Sequence, residues 1–139
     1  MTETLPAGVR RITSIHIAII PHAKQRYPTV GDWQYEGPRD ATHLMVKVSA
    51  MPDQRMEQAI AIHELVEALL CNHAGITQEE VDAWDIVGPG AALDDPGDDV
   101  DSPYHAQHVA ATEFEERFVE AVGLTWDEHD NAINSIPED

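Results

Sequence analysis

Residues 52–75 read PDQRMEQAIAIHELVEALLCNHAG. Pro52 and Asp53 supply a helix start, Gly75 supplies the left-handed stop that helices commonly use, and nothing between them interrupts the pattern, so the stretch predicts one helix from Asp53 to about His73. Apolar residues surround most of its circumference, which predicts central burial. Advancing about 100° per residue from His63 puts Met56 at roughly 20°, Glu67 at roughly 40° and Ile60 at roughly 60°. His63 and Glu67 therefore lie inside an apolar face. A carboxylate buried there costs several kcal/mol unless it is protonated, paired with a cation or bound to a metal. One helix thus carries both the expected core and the first candidate chemistry.

Working outward, Ile12 to Ile20 is rich in β-branched residues and alternates with period two, and His43 to Ser49 does the same, giving two strands. The turn-rich connection Pro21 to Asp40 holds Trp33 and Tyr35 and has room for a short aromatic strand. On the other side, Thr77 with Glu80 forms a capping box for a shorter helix to about Ile86, stopped by Gly88, Pro89 and Gly90. An acidic loop runs from Pro89 to Asp101. Ser102 as N-cap and Pro103 in the first helical position then start a helix to about Val122, ended by Gly123, with Ala111, Phe114, Phe118, Ala121 and Val122 as its expected core face. The tail from Trp126 reads as weakly patterned. These elements predict a single α+β domain over residues 1–139, a small sheet packed against two main antiparallel helices, with loosely ordered ends at 1–11 and 127–139.

The chain has 139 residues, 8 basic against 26 acidic, for a net charge of −18. That balance repels polyanions and argues against a nucleic-acid partner. No apolar run approaches the roughly 20 residues of a membrane span, and the N-terminus lacks the basic start and apolar stretch of a signal peptide, so no membrane role and a cytoplasmic location are expected. The single cysteine, Cys71, has no internal partner for a disulfide and reads as a small buried thiol. Eight histidines stand against two lysines, Lys24 and Lys47. Imidazole is the commonest metal ligand and acid–base group, so this excess points to metal or proton chemistry. The sequence does not define an oligomeric state.

His63 and Glu67 are four residues apart on one helical face, within reach of one ion, and Glu64 flanks them. A hydrogen-bonded His–Glu pair would also satisfy that spacing. The second cluster is His105 and His108 at the start of the last long helix, with Glu115 two turns beyond His108 on nearly the same line; here solvated histidines are the plain alternative. Antiparallel packing of the two helices would join the clusters. The expectation is a metal shell of His63, Glu67 and His108, with His105 as an alternative or fourth ligand. Zinc is favoured because its tetrahedral preference accepts mixed nitrogen and oxygen ligands; iron and manganese are the other candidates.

His63-Glu64-Leu65-Val66-Glu67 resembles the active-site helix of the zincin metallopeptidases, whose pattern is His-Glu-x-x-His. Strands ahead of the motif helix and a further helix after it are similar to a minimal zincin core. The resemblance implies His63 as first zinc ligand, Glu64 as general base, Glu67 in the place of the second ligand histidine, and a peptide or protein substrate. Glu67 is the departure: a carboxylate can bind zinc at about 2.0–2.2 Å but lowers the charge that polarises water. The chain also resembles uncharacterised proteins encoded by bacteriophages and prophages, which implies no activity.

Other readings use the same residues. Glu64-x-x-Glu67 followed by Glu79-x-x-Asp82 resembles the acidic motifs of the all-helical, magnesium-dependent nucleotide pyrophosphohydrolases. The loop Leu93 to Asp101 is dense in carboxylates but lacks the alternating register of an EF-hand, and reads as a solvated acidic loop. A charge of −18 also fits an acidic interaction protein imitating DNA. A metal-bound domain without catalysis completes the alternatives.

Overall fold

β-Branched residues stiff at χ1 dominate Ile12–Ile20, and this stretch forms β1 of a three-stranded sheet in the computed structural model, which describes residues 4–136. The aromatic stretch Gly31–Glu36 is β2 and Thr42–Ser49 is β3. Their order is β1-β3-β2, with β1 parallel and β2 antiparallel to β3. The central strand buries Leu44, Val46 and Val48 and turns His43 and Lys47 outward, the alternation of a one-sided sheet. In the parallel register Ile15, Ile17 and Ile19 pair with those three core residues, yet each stays 45–47% exposed because α1 packs on β2 and β3 rather than on β1.

Helix α1 runs Gln54–His73, with the Asp53 side chain accepting from Arg55 N as its cap. α2, Gln78–Asp82, opens with the expected Thr77–Glu80 capping box and continues into a wide π-helical turn over Ala83–Val87. α3 is His105–Ala121 and α4 is Trp126–Asn134. The fold is therefore α+β, with α1 packed on β2 and β3 on one side and on α3 on the other. α1 and α3 run antiparallel: Arg55 donates to the Val122 carbonyl, His63 meets Glu115, and Glu67 meets His108. Among the described residues no helix is long and apolar enough to cross a membrane.

Four expectations need correction. Ser102 does not cap α3; its hydroxyl accepts from Tyr104 N, and the helix starts two residues later than a Ser102 cap implies, with Tyr104 anchored through its phenol on Asp85. The buried face of α3 is His108, Ala111, Glu115 and Val119, while Phe114 is 55% exposed. A stripe chosen by hydrophobicity misses this face because two of its members are polar groups satisfied across the helix pair. The tail from Trp126 is patterned: Thr125 and Glu128 form a second capping box, and His129 on α4 is fully buried. Residues near the N-terminus are held rather than loose. Asn72, buried on α1, donates to the Arg10 carbonyl at 2.9 Å and accepts from Arg10 N at 2.8 Å, and Arg39 donates to the Val9 carbonyl at 2.7 Å.

That two-way Asn72 clamp replaces a missing strand partner for the backbone of Arg10. Asn72→Ala is expected to lower stability by about 1–3 kcal/mol, since it strands buried backbone groups. Urea unfolding reads the loss, and trypsin cleavage after Arg10 or Arg11 should accelerate in the same variant.

Candidate metal centre

α1 and α3 bring His63, Glu67 and His108 together, with one potential ligand atom from each lying within 4.8 Å of the others. His63 Nε2 is 3.1 Å and His108 Nδ1 2.9 Å from the same atom, Glu67 Oε2. A tetrahedral zinc with bonds of about 2.0–2.2 Å separates its ligand atoms by roughly 3.3 Å, so two nitrogens around one carboxylate oxygen at these distances suit such an ion with small adjustment. The imidazole rings stand edge to face with centroids 4.7 Å apart.

Behind each of these side chains stands a second group. Glu67 Oε1 accepts from Trp33 Nε1 on β2 at 3.0 Å. His63 Nδ1 lies 2.8 Å from Glu115 Oε1, close but off the axis of a good hydrogen bond, and Glu115 Oε2 is 2.6 Å from His129 Nε2. His108 Nε2 is 3.2 Å from Asp95 in the acidic loop. Each candidate histidine thus turns one nitrogen to Glu67 and the other to a carboxylate, the arrangement by which metal-binding imidazoles are oriented and made more basic.

Two glycines allow this closeness. A Cβ on Gly31 would fall 2.6 Å from Glu64 Cγ, and one on Gly97 would fall 2.5 Å from His108 Nδ1. The acidic loop is therefore laid directly on the site, where Trp84 Nε1 donates to the Pro96 carbonyl and His105 Nδ1 donates to that of Gly97. His105, expected as an alternative or fourth ligand, anchors this loop and stands outside the His63–Glu67–His108 group. Asp95 and Asp98 can gather on His108 as a second, more exposed group. Of the pair read as a magnesium motif with Glu64 and Glu67, Glu79 is exposed and Asp82 is bonded to Arg26.

Charge is concentrated here. Burial opposes the Glu67 charge, but His108 and His63 outweigh it and lower this carboxyl to about 2. Burial opposes protonation of His63, yet Glu115 and Glu67 raise it to about 11; for His108, Asp95 and Glu67 do the same, to about 10. Glu64 makes no hydrogen bond among the described residues, and burial, then the Glu67 charge, drive its carboxyl well above the usual carboxylate range. Glu64 shares with the three candidate ligands a cleft of about 880 Å³.

Of the groups that surround the site, Trp33, Asp95 and His129 left no mark in the sequence pattern, because they arrive from a strand, a loop and the last helix. Glu115 was visible as a residue in line with His108. No protein-family model, curated protein or solved structure matches the chain.

The pH dependence follows from these shifts. Folded-state values of about 11 and 10 exceed the ordinary 6.5 of histidine, so that stabilisation is complete below pH 6.5 and is lost as pH rises through 10 to 11. Glu67, lowered to about 2, contributes above pH 4.5 and loses its contribution as pH falls towards 2. Protein treated with chelator should therefore be most stable between about pH 4.5 and 6.5. Zinc requires deprotonated imidazoles, so saturating zinc should move the melting-temperature optimum to higher pH. Melting curves at each pH, with and without zinc, check both statements.

Proposed function

We propose that the protein binds one divalent transition-metal ion, zinc by preference, through His63, Glu67 and His108, and uses it to hydrolyse an amide or peptide bond. The observation that carries this reading is the convergence of His63 Nε2 and His108 Nδ1 on Glu67 Oε2 while the opposite nitrogen of each ring faces Glu115 or Asp95. Structural zinc sites are closed by four protein ligands, whereas catalytic ones keep a position open, and three ligands without His105 fit the second class. A bound zinc supplies a Lewis acid that polarises a carbonyl and acidifies water.

The chain's own residues do the rest. Glu64, beside the first ligand and in the same cleft, accepts the proton of the attacking water and returns it to the leaving amine. Glu67 offsets part of the ion's charge, and the Trp33 indole hydrogen bond on its other oxygen moderates that effect. Glu115, held by His129, fixes the ring of His63.

A non-catalytic metal site is favoured by one observation, the reach of Asp95 to His108, which places a second carboxylate near the site as a candidate fourth ligand. X-ray absorption of zinc-loaded protein distinguishes the two by counting ligands.

Metal analysis of untagged protein should find about one zinc per chain, lost in His63→Ala and His108→Ala, with Glu115→Gln weakening affinity about 10- to 100-fold. Zinc content unchanged in both histidine variants would overturn the site. Glu64→Gln should keep zinc and fold but lose about 100-fold or more of the turnover of a fluorogenic peptide mixture. Equal turnover by parent and variant would overturn the mechanism and leave the metal site standing.

A further inference from the structure

The turn Ala83–Val87 inverts the ordinary placement of side chains: it buries Asp85, at 8% exposure, and turns Val87 out to 84%. It does so as a π-helical turn, a rare conformation that occurs often at functional sites. Local rules are broken in this way mainly where function requires it. Asp85 lies in the wall of the same cleft as the candidate metal ligands. Its Oδ1 accepts from the Tyr104 hydroxyl at 2.5 Å and its Oδ2 from that of Tyr27 at 3.5 Å. The Tyr104 ring in turn stands 6.3 Å, centroid to centroid, from His108.

A neighbouring carboxylate shows what is missing. Asp32, also buried, is neutralised by the forked guanidinium of Arg26 at 2.7 and 3.0 Å, and the rest of that fork goes to Asp82. Asp85 has no arginine, lysine or histidine as hydrogen-bond or ion-pair partner among the described residues. Buried carboxylates are ordinarily paired, and two phenol hydroxyls satisfy hydrogen bonds without supplying the opposite charge. The rings of Tyr27 and Tyr104 add faces on which a cation can rest, and Arg26 already stacks on Tyr27 at 5.3 Å. The chain's charge of −18 draws cations towards such a cleft.

We propose that Asp85, framed by Tyr27 and Tyr104, is a recognition site for an organic cation, and that the substrate is a peptide or amide bearing a guanidinium or alkylammonium side chain. The cation site stands on the Asp85 geometry; its role in substrate choice rests on the hydrolase reading above. The carboxylate would take the cation by charge-assisted hydrogen bonds, as it takes the phenols now, and the aromatic walls would exclude water.

Nuclear magnetic resonance titration with N-acetyl-arginine amide, and with N-acetyl-norleucine amide as a neutral counterpart, tests the site in chelator-treated and zinc-loaded protein. Arginine amide should bind about tenfold or more tightly than norleucine amide, and Asp85→Asn should abolish the preference while Tyr104→Phe, which keeps the carboxylate, retains it. Intermolecular Overhauser contacts in the unmodified protein should place the guanidinium side chain against the Tyr27 and Tyr104 rings, which needs no variant to fold. Equal binding of the two amides, an unchanged preference in Asp85→Asn, or contacts confined to other surfaces would each overturn the proposal. Arginine selectivity without zinc uptake would sink the hydrolase reading and keep the cation site; zinc uptake without selectivity would do the reverse.

Discussion

The antiparallel contact between α1 and α3 combines a small apolar cluster, Met56 and Ala59 with Val119 and Leu124, with a buried seam of charge, and the arrangement of the remaining elements depends on that seam. Glu67 stands between His63 and His108, and Glu115 stands between His63 and His129. These groups are largely withdrawn from water, so each needs the others; removing one partner of a buried ion pair leaves an uncompensated charge that costs about 3–5 kcal/mol. Such a seam contributes less net stability than apolar packing of the same volume, but it specifies register closely, because a shift of one residue along either helix would separate His63 from Glu115 and Glu67 from His108.

The other elements supply what this seam requires. β2 brings Trp33 to the free oxygen of Glu67, and Gly31 gives Glu64 room by having no side chain. α4 delivers His129 behind Glu115, and the acidic loop comes down through Gly97 to place Asp95 on His108. The apolar core of Leu44, Val46, Val48, Ile60, Ala68 and Cys71 lies between α1 and the sheet, beside the polar seam, where it carries hydrophobic stabilisation that the seam does not. One helix therefore divides its circumference between core and chemistry, which is why no single apolar stripe describes it.

Departures from local rules collect around the cleft. Phe114 is exposed while Glu115 beside it is buried, and Val87 is exposed while Asp85 is buried. A domain with few large apolar residues accepts these inversions only if polar groups gathered inside have mutual partners or a ligand. Glu67 and Glu115 have such partners; Glu64 and Asp85, both pushed up by burial, have no basic partner in hydrogen-bond or ion-pair contact among the described residues, and both line the cleft.

Local patterns in the sequence were enough to determine the strands, the extent of α1, the capping box of α2 and the α+β class, because alternation, caps and glycine stops act within a few residues. They also singled out His63, Glu67 and His108, since a carboxylate and an imidazole inside an apolar face are anomalous wherever the helix packs. The Thr125–Glu128 box that starts α4 is equally local, although it stands in an acidic stretch with little apolar pattern. What only the tertiary structure decided was which polar groups meet: Trp33 with Glu67, Glu115 with His63 and His129, Asp95 with His108, and Asn72 with Arg10. Those contacts join residues 13 to 62 positions apart, and their geometry comes from the register of packed helices and from two glycines that let backbone approach side chains, neither of which leaves a periodic trace in the chain.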